Sequence, residues 1–177
     1  MLRLFAALHV PPEIGEGLIR HQHGLAGARW RPLEALHITL RFFGDVREDT
    51  AEDLDLELQS ITGSPLELSL DNVGAFGEGA DIHAVWAGVA ENAPLRTLAA
   101  RCEAAARRAG LKGEARAYRP HVTLAYLSRP QPQDVAAWIQ ANNLLKSPPF
   151  TVGSFGLYSS SLGRSGSVYA LERSYPL

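Results

Sequence analysis

Cysteine occurs once in the 177 residues, at Cys102, so no internal disulfide can form and no cysteine-based zinc cluster is available. A reducing cytoplasm is the expected compartment. Lysine is almost as scarce: of 17 basic residues only Lys112 and Lys146 are lysines, and 15 are arginines. No apolar run reaches the about 18 residues a membrane-spanning helix needs. The apolar N-terminus MLRLFAALHV runs into Pro11-Pro12 without a small-residue cleavage pattern and reads as a first strand, not a signal peptide. An excess of one charge is also missing: the formal net charge of −2 excludes a bulk polyanion binder. The phosphate-cradling loop GxxxxGK[ST] is absent.

A 46% share of hydrophobic and 20% of charged residues is that of an ordinary globular chain. The length suits one domain, or two small lobes sharing a core. Arginine's planar fork suits bidentate phosphate contacts. Codon usage in an Ala- and Gly-rich chain is a second explanation for so many arginines. Position favours the first: Arg29, Arg31 and Arg41 flank one histidine motif, and Arg116, Arg119 and Arg129 flank another.

Residues 2–10 read as a strand. Pro11-Pro12 opens a helix to about His23. Residues 37–43 form a β-rich run closed by Gly44-Asp45. Asp49 or Thr50 caps a helix with Leu54, Leu58 and Ile61 at i, i+4 and i+7. Leu66, Leu68 and Leu70 alternate as a strand, residues 72–81 (NVGAFGEGAD) read as a hairpin loop, and residues 82–89 as a further strand. The order then restarts. Pro94 begins a helix carrying Leu95, Leu98, Cys102, Ala105 and Ala109 on one face and stopped by Gly110. A strand over 121–127, a helix over 132–142, and a strand pair over 150–159 and 168–173 joined by the turn SSSLGRSG complete it. Helix, strand, helix, strand, strand thus occurs twice, over roughly 11–89 and 94–173. The expectation is a single duplicated α+β domain spanning 1–177, bilobal about a pseudo-two-fold axis. Units of about 80 residues bury little core alone, so the lobes should pack together.

Each unit's first strand carries one tetrad. His37-Ile38-Thr39-Leu40 matches His121-Val122-Thr123-Leu124, with Arg31-Pro32 upstream of the first and Arg119-Pro120 upstream of the second. Side chains at i and i+2 of a strand share a face. His37 and Thr39 therefore point together, as do His121 and Thr123, while Ile38, Leu40, Val122 and Leu124 turn to a core. One His-x-Thr on a strand is usually structural, but two copies at equivalent places describe the floor of a cleft. Two imidazoles facing one ligand are equipment for acid–base catalysis near neutral pH. Threonine hydroxyls can hold an anion's oxygens. A phosphodiester with an internal leaving group fits. Metal dependence is not expected. His21 and His23 lie about 200° apart on a helix, His9 and His83 stand alone, and the strand histidines lack a third ligand.

The pair HITLRFFG and RPHVTLAYL resembles the double H-x-T-L signature of the 2H phosphoesterase superfamily. Within it the chain is similar to the bacterial and archaeal RNA 2′,3′-cyclic phosphodiesterases, also called 2′-5′ RNA ligases. The likeness covers nearly the whole chain, from RLFAAL and the following Pro-Pro, through RWRPLEALHITLRFFGDV, to Gly166, Tyr169 and the terminal Pro-Leu. It implies two antiparallel sheets facing a central cleft with helices outside. It implies metal-independent opening of a ribose 2′,3′-cyclic phosphate to a 2′-phosphate, without cofactor, and a weak ATP-independent joining of RNA ends through a 2′-5′ bond. By position, His37 and His121 are the catalytic pair, Thr39 and Thr123 hold the phosphate, and Phe42 contacts the nucleoside. One assignment makes His37 the acid protonating the departing O3′ and His121 the base activating water; the near-symmetry of the two tetrads leaves the exchanged roles equally open.

One position departs from the pattern. Tyr126 stands five residues after His121, where many relatives carry Arg. Either Arg41, sharing strand parity with His37, or Arg119, sharing it with His121, is expected to supply that charge, and Tyr126 is expected either to stack on a base or to stand as an outward aromatic at a strand end. The partners implied are RNA ends or nucleotides with a 2′,3′-cyclic phosphate, for a monomer with no obligate protein partner. Two other readings stand beside this one: a related 2H enzyme acting on 2′-5′ oligonucleotides or small cyclic nucleotide phosphates, and a non-catalytic RNA-end-binding module.

Overall fold

The computed structural model describes residues 1–164 and 166–177; Ser165, inside the turn expected over 159–166, lies outside the described residues. Among the described residues ten strands and four α-helices follow one another. The first unit contains β1 (Leu2–His9), α1 (Pro12–Ile19), β2 (Ala28–Trp30), β3 (His37–Val46), α2 (Glu48–Gln59), β4 (Leu66–Leu68), β5 (Leu70–Phe76) and β6 (Ala84–Val89). The second contains α3 (Ala93–Arg108), β7 (His121–Leu127), α4 (Pro132–Asn142), β8 (Phe150–Val152), β9 (Ser154–Gly163) and β10 (Gly166–Pro176). This is the α+β class expected, with antiparallel sheets and outer helices.

Eight strands form one sheet in the order β10-β9-β1-β3-β7-β6-β5, with β2 added beside β7; β4 and β8 pair as a separate two-stranded sheet. The large sheet consists of two four-stranded halves. They meet at the β3–β7 seam, where the pairing has the single register pair Ile38 and Val122. The halves are not the sequence units: β9 and β10 from the second unit complete the half built on β3, and β5 from the first lies in the half built on β7.

The local deviations from the sequence expectation share physical causes. The alternating run Leu66–Leu70 breaks at Ser69 into β4 and β5, and the run 150–159 breaks at Gly153 into β8 and β9, so each leucine- or phenylalanine-led strand serves two sheets. Residues 72–76 are strand, not the expected hairpin loop. Gly74 is required there because a Cβ would meet the Trp86 ring at 2.3 Å. Helix α1 ends at Ile19, short of His23. Helix α2 starts two or three residues earlier than a cap at Asp49 or Thr50 implies, with Arg47 at its N-cap; Asp49 instead accepts from the Thr50 N–H and pairs with Arg47. Asn92 caps α3 through a 2.9 Å bond from the Leu95 N–H. Gly110 stops that helix with a φ of +83°.

The core runs continuously under both halves. In β1 five consecutive residues, Leu4 to Leu8, are buried, as befits a strand covered on both faces. Ile38, Leu40, Val122 and Leu124 all face the core, as their alternation requires. Leu54 and Leu58 of α2 and Leu95, Leu98, Cys102 and Ala105 of α3 join the same cluster. Helix α3 lies against β3 and α4 against β5. The helices thus lie outside, and the His-Thr faces of β3 and β7 are left to the cleft.

Candidate active site

The antiparallel register around Ile38 and Val122 arranges the four motif residues. It sets His37 level with Thr123 and Thr39 level with His121. Ile38 and Val122 point to the core, so their four neighbours face the cleft together, related by a two-fold axis through the seam.

Both imidazoles are oriented in the same way. His37 Nδ1 lies 2.9 Å from the Ala35 carbonyl, and His121 Nδ1 lies 2.7 Å from the Arg119 carbonyl, two residues upstream in each case. A carbonyl only accepts, so Nδ1 carries the proton and Nε2 of each neutral ring is left as an acceptor. The short 3₁₀ turn Leu33–Ala35 after Pro32 presents the first carbonyl. His37 Nε2 lies 3.1 Å from Thr39 Oγ1, which donates to it when the ring is neutral. Tyr118, from the other unit, donates its hydroxyl to the Thr39 carbonyl at 2.9 Å.

Each ring stands against aromatic walls. Phe5 and Tyr169 lie 5.0 and 5.2 Å from His37, centroid to centroid. Phe76 lies 4.7 Å and Trp86 6.4 Å from His121. Burial in these walls pushes the His37 imidazole down to about 4; the Ala35 carbonyl opposes this, while the positive charges of Arg31, His121 and His9 add to it. His121 is also lowered, by burial, against the pull of the Arg119 carbonyl. His37, with the larger lowering, is the harder ring to protonate in the free site.

Two bulges decide which further side chains reach the cleft. Ala6 of β1 faces Arg41 and Ala7 faces Thr39, so Leu40 is an extra residue in β3. Val85 of β6 faces Ala125 and Trp86 faces Thr123, so Leu124 is the extra residue in β7. An extra residue inverts the alternation beyond it. Arg41 and Ala125 therefore turn to the core side, and Phe42 and Tyr126 turn to the cleft side. Phe42, opposite Phe5, is 43% exposed at the rim with the Arg3 guanidinium 5.3 Å from its ring centre.

The expectation for Arg41 is corrected on this ground. Its parity with His37 is lost at Leu40. Its guanidinium pairs with Glu103 of α3 and donates to the Phe42 carbonyl and, at 2.7 Å, to the Lys112 carbonyl. Arg119 is exposed on the approach to β7, with no hydrogen bond or ion pair to its guanidinium among the described residues. His21 and His23 lie beyond α1, not on it, and His21 is bonded to Asn142 at 2.7 Å. Among the described residues no group of three His, Cys, Asp or Glu side chains could hold a metal ion, and no helix is long and apolar enough to cross a membrane.

A residue that the motif reading left as a mere flank proves central to the geometry. Arg31, 8% exposed, follows β2 and donates its backbone N–H to the Leu124 carbonyl at 2.8 Å. Its guanidinium carbon lies 5.4 Å from the ring centres of both Tyr126 and Tyr169. The sequence marks Arg31 twice, in the cluster Arg29, Arg31 and Arg41 and in the Arg-Pro pair that precedes each tetrad, but neither pattern places its guanidinium in the cleft. Next to the His37 wall, Tyr158 and Tyr169 with Glu34 and His9 also line an open cavity of about 430 Å³.

Comparison with known proteins places the chain in a family. A family model described as the 2′-5′ RNA ligase superfamily matches residues 10–164. The RNA 2′,3′-cyclic phosphodiesterase of Archaeoglobus fulgidus is 29% identical over 171 residues, 95% of this chain and 96% of that one. The protein of the same name from Aeropyrum pernix is 32% identical over 139 residues, 77% and 78% of the two chains. The crystal structure of Escherichia coli LigT complexed with 3′-AMP superposes with a TM-score of 0.79 at 27% identity, covering 99% of this chain and 98% of that one.

Proposed function

The chain belongs to the 2′-5′ RNA ligase superfamily, and from that premise we propose that it opens terminal ribose 2′,3′-cyclic phosphates of RNA to 2′-phosphates by two-histidine acid–base catalysis. The observation that carries this reading is the seam register, which faces two His-x-Thr pairs into one cleft with both Nε2 atoms free of protein carbonyls. In the reaction one imidazole takes a proton from water as the water oxygen bonds to phosphorus. The other gives a proton to O3′ as the P–O3′ bond breaks. Charge and protons balance with no further reactant. The Thr39 and Thr123 hydroxyls hold non-bridging oxygens. Phe42 and Tyr126, brought to the cleft by matching bulges, offer faces on which bases stack. With a 5′-hydroxyl in the place of water, the same two proton transfers open the cyclic phosphate and leave a 2′-5′ bond without ATP.

Burial disfavours the protonated form of both rings in the free site, so the acid gains its proton together with the anionic substrate, whose charge raises a neighbouring imidazole. The partners on this reading are RNA ends, in a cytoplasm that keeps the free, buried Cys102 reduced. Incubation of the protein with a nucleoside 2′,3′-cyclic phosphate, followed by phosphorus NMR, tests it. The 2′-phosphate is the expected product. No turnover, or a predominantly 3′-phosphate product, overturns the reading.

A further inference from the structure

We propose that Arg31 is the phosphate-binding cation of the cleft, holding a non-bridging oxygen of the cyclic phosphate between the two histidines. The inference rests on the phosphodiester reading above, and it names a residue for which neither the histidine motifs nor their spacing provides. Arg31 is the one buried charged side chain among the described residues. A buried cation normally has a carboxylate partner, yet none pairs with Arg31 among the described residues. The polar neighbours of its guanidinium are the Ser167 carbonyl, at a long 3.4 Å, and the Tyr169 hydroxyl. Tyr126 and Tyr169 instead present their rings to it at 5.4 Å each. Aromatic faces hold a guanidinium without neutralising it and leave the edge of its N–H fork unsaturated. That is a seat prepared for an anion.

Position gives the anion its identity. Tyr126 belongs to the half carrying His121 and Tyr169 to the half carrying His37, so the guanidinium lies between the halves. Its charge acts directly on the His37 ring. Its backbone is fixed at both ends of the residue. The N–H bonds to the carbonyl of the bulge residue Leu124, and the carbonyl accepts from Gln22 Nε2 at 3.0 Å. The other candidates do not compete: Arg41 is taken by Glu103 behind the sheet, and Arg119 is exposed outside it.

The test compares wild type, Arg31→Met, Arg31→Lys and the double variant Arg31→Met with Tyr126→Arg. Three quantities are read: the dissociation constant for inorganic phosphate, kcat/KM for a nucleoside 2′,3′-cyclic phosphate, and Tm. Arg31→Met should weaken phosphate binding at least tenfold and lower kcat/KM by about 10²-fold or more, while Tm holds or rises because an unpaired buried charge is gone. Arg31→Lys should recover only part of both, since the fork is lost. A guanidinium returned from β7 by Tyr126→Arg should restore phosphate affinity. Unchanged phosphate affinity in Arg31→Met, or a fall in Tm with both functional readouts intact, overturns the role of Arg31 and leaves the phosphodiesterase reading standing. A wild type that binds phosphate through Arg31 but turns over no cyclic phosphate overturns the enzymatic reading instead.

Discussion

Ile38 and Val122 stand opposite each other at the one register pair joining β3 to β7, and each is the residue between a histidine and a threonine. The contact that unites the halves is therefore the contact that sets the spacing of the two imidazoles. Its position in the core explains why the pair is fixed: both side chains are fully buried. Truncating Ile38 to alanine should cost about 2–5 kcal/mol of stability in urea titration, and kcat should fall along with it. Stability lost at undiminished kcat would separate the seam from the site.

Replacing His37 or His121 by alanine should each lower kcat by about 10²–10⁴-fold. The double variant should lose much less than the product of the single effects, because the two groups act as a unit. Steady-state rates, with circular dichroism to verify folding, check this. Near-wild-type kcat in either folded single variant rejects paired acid–base catalysis.

The histidines also give stability a pH dependence. His37 titrates at about 4 in the fold, against 6.5 ordinarily, so the unfolded chain takes its proton more readily. Its stabilising contribution is complete above about pH 6.5 and is lost as pH falls toward 4, amounting to about 3 kcal/mol. His121 adds a smaller effect of the same sign. Urea midpoints between pH 7 and 4 should fall less steeply in His37→Gln than in wild type.

The same lowering displaces the activity profile. The plot of kcat/KM against pH reports the groups of the free protein, and both imidazoles sit below their ordinary value there. The bell should centre on the acid side of pH 6.5, with its lower limb belonging to His37. A bell centred above pH 7 contradicts the burial described for both rings.

Phe42→Ala and Tyr126→Ala should each raise KM for a short RNA ending in a cyclic phosphate by an amount equivalent to about 1–3 kcal/mol, the worth of a base–aromatic stack. Initial rates over a substrate series measure it. An unchanged KM in both variants removes the stacking role.

Arg41→Met should leave KM close to that of wild type and reduce stability by about 1–3 kcal/mol, since Glu103 and the Lys112 carbonyl lose their donor. A KM rise without destabilisation would return Arg41 to the cleft.

How much of this the chain discloses in advance depends on the range of the interaction. Strand alternation is local, so the cleft faces of His37, Thr39, His121 and Thr123 and the core faces of Ile38 and Val122 follow from spacing alone. A bulge is a mismatch between two strands, and nothing within HITLRFF or HVTLAYL marks Leu40 or Leu124 as the unmatched residue. Parity counted along one strand therefore misplaces Arg41. Glycine misleads over residues 72–76 for a related reason: Gly74 signals a loop locally, but it is there to admit the Trp86 ring from the neighbouring strand. Arg31 is visible as a flank of the first histidine motif, but its place in the cleft depends on Tyr169, 138 positions away.

The exchange of strands between the two units has a consequence for biosynthesis. β1 finds one neighbour, β3, early in translation, but its other edge waits for β9, whose residues are made last but for the final strand. Until then the nascent chain displays an unpaired strand edge beside the apolar run Leu4–Leu8, and Tyr169 has not yet closed over His37. No partly made chain holds a complete cleft. The price of this topology is slow, non-local assembly, with the aromatic wall of His37 completed only by the last strand.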